Sequence, residues 1–95
     1  MCVYLQYKKT IIMKKQTLQL IENLKSDIDF NNISVRTSEG TFWEYYFDIT
    51  GFHKEKFFQL TICKLKNYSQ YTITTSSVTD CRIEINKKLK QFKIQ

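Results

Sequence analysis

The chain has 95 residues, of which 42% are apolar and 15% aromatic. That is enough for one small core, and too apolar for a disordered chain. With no proline and only Gly40 and Gly51, a glycine-rich phosphate loop is excluded. Fifteen Lys and Arg against nine Asp and Glu give +6, a surplus that either keeps a small domain soluble or favours an anionic partner.

Cys2, Cys63 and Cys81 are odd in number and lack C-x-x-C spacing. They fit a reducing, cytoplasmic compartment better than a disulfide framework. His53 is the single histidine, so a Cys/His zinc finger is out of reach, and no metal or cofactor is expected. The opening MCVYLQYKKTIIM has its lysines after the apolar run, unlike a signal peptide. Residues 1–12 read as an edge strand, with Val3, Leu5 and Tyr7 alternating, or as a leader. From Lys14 to Ser26 a stripe of Leu18, Ile21 and Leu24, with Leu20 beside it, predicts an amphipathic helix. Asp27, Asp29, Asn31 and Asn32 end it.

The period then becomes two. Ile33, Val35 and Thr37 alternate, and Ser38-Glu39-Gly40 reads as a turn. In the next run Trp43, Tyr45, Phe47 and Ile49 take one face; Phe42, Glu44, Tyr46 and Asp48 take the other. Residues 50–56 read as a connector. Phe58, Leu60 and Ile62 form another strand, Lys66-Asn67 a tight turn, and Tyr71 and Ile73 a further strand. Cys81, Ile83 and Ile85 alternate like one more. The lysine-rich tail 87–95 is a short basic helix or an arm. The expected fold is α+β: one N-terminal helix on an antiparallel sheet of four or five strands, a two-layer single domain over 1–95.

Catalysis is poorly provided for. His53 sits in the charged connector, where it reads as a solvated loop residue. Glu44 and Asp48 lie about 13 Å apart along a strand, beyond the roughly 5–9 Å of a glycosidase pair. No enzyme is expected. Charge is uneven: residues 1–15 and 87–95 each carry four lysines and no acid, whereas 16–50 sum to minus four. Phe42, Glu44, Tyr46 and Asp48 therefore form an aromatic and acidic patch suited to a protein surface, unless the chain's own ends cover it. Lys87, Lys88, Lys90 and Lys93 are the candidate contacts to nucleic acid. Thirteen of the fifteen basic residues are lysine, which favours backbone contact over base readout.

In general character the chain resembles the small, motif-free proteins of phages and mobile elements, anti-CRISPR inhibitors among them. The likeness lies in its size, single α+β domain, absence of a catalytic set, and Lys- and Asn-rich usage around Met13-Lys14-Lys15. It implies inhibition of a CRISPR nuclease by protein contact. The DNA-mimicking members are strongly acidic; at +6 this chain would engage protein, guide RNA or both. The alternative is a basic RNA- or DNA-binding module that uses its two ends.

Overall fold

The computed structural model describes residues 2–38, 42–68 and 70–94, with side chains from residue 14 onward. The turn expected at Glu39-Gly40 lies outside the described residues. Helix α1 runs Cys2–Ser26, followed by strands β1 (Phe30–Thr37), β2 (Trp43–His53), β3 (Lys56–Leu65) and β4 (Tyr71–Ser77) and helix α2 (Thr79–Gln91). The strands pair in chain order, β1-β2-β3-β4, each antiparallel to its neighbour. Both helices supply side chains to one cluster on one sheet face. The expected α+β class and antiparallel sheet are therefore present, with four strands and two helices instead of one. Among the described residues, no helix is long and apolar enough to cross a membrane.

Residues 2–12 are helical and continuous with the rest of α1, not the edge strand that their alternation suggested. Within α1 the buried side chains are Thr17, Leu20, Ile21 and Leu24. The helix is thus turned one position from the stripe read in the sequence, and Leu18 is 54% exposed. Thr17 fills the inward place because its spacing to Leu20, Ile21 and Leu24 repeats the three-four pattern. The helix ends as expected at its polar run. The Asp27 N–H still reaches Asn23 O (3.0 Å), and Asp27 Oδ1 accepts from the Asp29 N–H (2.9 Å), an Asx turn that redirects the chain into β1.

The expected connector 50–56 is instead the tip of a long hairpin. β2 continues to His53, and Lys54 and Glu55 form a two-residue turn with φ 49° and 71°. Two positive φ values mark the mirror-image turn whose twist matches the flanking strands, a place usually held by Asn-Gly. Lys-Glu gave no signal for it. His53 is accordingly a core residue, 6% exposed, with its ring 4.7 Å from that of Phe30. The sheet lies between it and Asp48 and Cys63, which point to the opposite face.

The run Cys81–Ile85 forms a helix, not a strand. Cys81, Ile85 and Leu89 are buried four residues apart, while Ile83 is 49% exposed. The alternation was a coincidence of one turn; the four-residue spacing carried through to Leu89 decides. The tail is packed. Lys93 N–H bonds Lys90 O (3.0 Å), Ile94 N–H bonds Leu89 O (2.8 Å), and Lys93 has φ 60°. This is a Schellman C-cap, sealed by buried Ile94 against buried Leu89.

Candidate functional site

A single-sided sheet leaves its second face to solvent. The inward residues of β2 and β3 are Tyr45, Phe47 and Ile49 with Phe58, Leu60 and Ile62, all buried. By alternation the open face carries Tyr46, Asp48, Thr50 and Phe52 from β2. Phe57, Gln59, Thr61 and Cys63 from β3 lie opposite them. β1 adds Ser34 and Arg36, and β4 adds Thr72, Thr74 and Ser76. Among the described side chains, those that α1 and α2 bury belong to the core on the other face. The C-terminal tail, which the sequence allowed as a cover, packs its Leu89 and Ile94 into the core instead.

Two aromatic pairs mark the ends of β2 on this face. A register shift between Trp43 and Tyr45 places an extra residue, Glu44, in the strand. Trp43 is thereby withdrawn from the core side expected of it and sits with its ring 5.0 Å from Tyr46. At the hairpin end Phe52 and Phe57 meet edge to face at 5.7 Å. Phe57 is 53% exposed. Between the pairs, Asp48 accepts a hydrogen bond from Gln59 Nε2 (2.9 Å) and stands opposite Arg36 of β1. Arg36 and Asp48 are the charged side chains on the face among the described strand residues, and they sum to zero.

The four residues expected to face a protein divide accordingly. Tyr46 and Asp48 share the open face. Glu44, at the bulge, is ion-paired with Lys64, whose side chain is 10% exposed. Phe42 precedes β2, is 73% exposed, and its carbonyl accepts from the Lys66 N–H (3.0 Å). Sequence reading missed Trp43, Phe52, Phe57, Gln59 and Arg36 as members. The readable signal for Phe52 and Phe57 was their equal distance from Lys54-Glu55, which makes them cross-strand partners once that pair is a turn.

The four lysines also divide. Lys87, Lys90 and Lys93 are exposed at α2 and its end, with Lys87 3.3 Å from Glu84. They lie on the helix layer, away from the open sheet face, and exposed Arg82 lies at its start with its guanidinium donating to Ser77 O (3.3 Å). Lys88 is a structural residue. Its Nζ lies 2.7 Å from Asp27 Oδ2 with the side chains 13% and 27% exposed. It also donates to Asn23 Oδ1 and sits 5.1 Å over the Phe30 ring. This joins the last turn of α2 to the end of α1. The same contact holds the Asp27 carboxyl below its ordinary range, helped by the Asp29 N–H.

Cys63 and Cys81 are free and buried, and burial pushes both thiols up, so they stay protonated at neutral pH. Burial likewise raises the Tyr45 phenol, with Tyr71 and Glu44 adding to it. His53 borders a shallow cleft of about 310 Å³ shared with Lys54, Lys56, Asp80, Ile83 and Glu84. Lys56 and Asp80 pair across it at 3.4 Å. Among the described residues no group of three His, Cys, Asp or Glu is placed to hold a metal ion. Comparison of the chain with protein-family models, with curated proteins and with solved structures gives no match in any of the three.

Proposed function

We propose that the protein is a non-catalytic binding protein that lays its open sheet face on a larger nucleic-acid-processing protein or nucleoprotein, such as a CRISPR nuclease, and inhibits it by occupancy. The observation that carries this reading is the face itself: two aromatic pairs, a hydroxyl-rich surround and no net charge. Aromatic anchors of this kind supply most of the energy of a protein interface. A platform for single-stranded RNA also uses rings on a sheet, but it needs cations beside them to hold phosphates. Here Arg36 stands opposite Asp48, and the exposed lysines of α2 lie on the far side of the molecule.

Those lysines favour the second reading, a module that grips the phosphate backbone through Arg82, Lys87, Lys90 and Lys93. Photo-crosslinking from the two surfaces separates the readings. A benzophenone amino acid replacing Tyr46, and in a second sample Lys90, is activated in the cell in which the protein acts. The expected result is a covalent protein adduct through position 46. Adducts formed only from position 90, and shortened by nuclease, would replace the first reading with the second.

A further inference from the structure

The sheet has two outer edges, β1 and β4, and they are built differently. An edge strand offers a row of unpaired backbone donors and acceptors, which proteins normally block with a bulge, a charge or a proline. β1 is blocked: its register slips between Asn31 and Ser34, Asn32 has φ 54°, and Arg36 is exposed. β4 has neither bulge nor proline nor a charged side chain of its own; the Arg82 guanidinium of α2 donates to the carbonyl of its last residue, Ser77 (3.3 Å), and the charge stops at that end. It pairs with β3 without a register break over Phe58–Lys64, and residues 67–79 contain no charged side chain.

We infer that β4 pairs antiparallel with β4 of a second copy, joining two sheets into one of eight strands. A charged partner would gain nothing from a neutral edge, whereas two copies at +6 each can approach closely only where the chain carries no charge. The strand is also self-complementary. A two-fold axis at Thr74 sets Tyr71 against Ser77, Thr72 against Ser76, and Ile73 against Thr75. Hydroxyl pairs of this kind support antiparallel ladders. Exposed apolar residues bracket the strand, Tyr68 at 63% before it and Val78 at 52% after it. Antiparallel pairing carries the Tyr68 end of one copy to the Val78 end of the other.

Seven residues span about 24 Å, short for a standard interface, so the dimer is weak and its arms repel. Association therefore tightens as salt screens the net charge. Sedimentation velocity from about 10 μM to 1 mM, a range set by so small an interface, reads this directly. The expected result is a reversible monomer–dimer equilibrium that strengthens between low and high salt. Thr74→Lys puts two like charges on the axis and weakens dimerisation about tenfold or more, with an unchanged melting temperature. Mixing Thr74→Lys with Thr74→Glu restores a heterodimer. Amide hydrogen exchange needs no variant: amides of β4 slow as concentration rises, and those of β1 do not. A wild-type chain that stays monomeric throughout, or a folded Thr74→Lys chain that dimerises as wild type does, would overturn the inference.

Discussion

Gly51→Val is expected to destabilise the protein by about 3 kcal/mol, at the upper end of what overpacking a core costs. Gly51 is buried in β2, opposite Phe58. A Cβ there would lie 2.6 Å from Ile33 Cδ1, 3.2 Å from the Asn31 carbonyl oxygen and 3.2 Å from Phe58 Cε1. The Ile33 tip can swing aside, so Gly51→Ala is expected to be milder. The Asn31 carbonyl and the Phe58 ring are fixed by the β1 bulge and by the core, and valine's second methyl has nowhere to go. A β-branched residue also recovers up to about 1 kcal/mol of strand preference over glycine, which is too little to win. In a chain of this length the loss lowers the thermal midpoint by roughly 12–24 °C. Circular dichroism melting measures it, and a midpoint within about 4 °C of wild type would contradict the packing described.

Lys88→Met is expected to cost about 1–2 kcal/mol near neutral pH. The variant keeps the length and apolar stem of the side chain but loses its charged hydrogen bonds to Asp27 and Asn23 and its position over the Phe30 ring. The figure stays below that of a fully buried pair because about a quarter of the Asp27 side chain remains in water. The pH dependence gives the contact a signature. The Asp27 carboxyl is lowered in the folded state from its ordinary 3.8, so the unfolded chain binds its proton first as acid is added. The stabilisation is therefore complete above 3.8 and is lost as pH falls below it through the folded value. Urea unfolding of both proteins at neutral and acid pH should show the gap between them closing in that window. It does not close to nothing, since Lys88 keeps its hydrogen bond to Asn23 Oδ1 and its position over the Phe30 ring once Asp27 is protonated. A gap of equal size at every pH would mean that Lys88 acts through its stem alone.

Wherever the pattern of residues was long, the sequence predicted the fold well. Phe58, Leu60 and Ile62, and Tyr45, Phe47 and Ile49, keep strict alternation over enough residues to fix both the strand and its inward face. Where a feature depended on one or two residues, tertiary context overrode the local signal. Lys54-Glu55 carries no turn chemistry, yet Phe30 against His53 and the Lys54 N–H to Asp29 O bond (3.1 Å) hold it in the mirror-image turn. Cys81-Arg82-Ile83-Glu84-Ile85 satisfies either period, and Leu89 and Ile94 settle it only because the helix is capped behind them.

The open sheet face was half legible for the same reason. Tyr46 and Asp48 follow from simple alternation, whereas Trp43 reaches the face through the bulge at Glu44. Phe52 and Phe57 reach it through the unexpected hairpin. Lys88 was indistinguishable from its neighbours in the run Lys87–Lys90. Its partner Asp27 is 61 residues away in the chain and adjacent only in the fold.

The open sheet face, and not the lysine-bearing surface of α2, is the surface proposed to meet the partner. The most direct test is a titration of the purified chain with labelled single-stranded RNA and duplex DNA across a salt series. At roughly physiological salt the expected half-saturation is no tighter than about 100 μM, the weak end of non-specific electrostatic binding. Micromolar binding that falls steeply with salt and disappears in a Lys87→Ala, Lys90→Ala chain would contradict it.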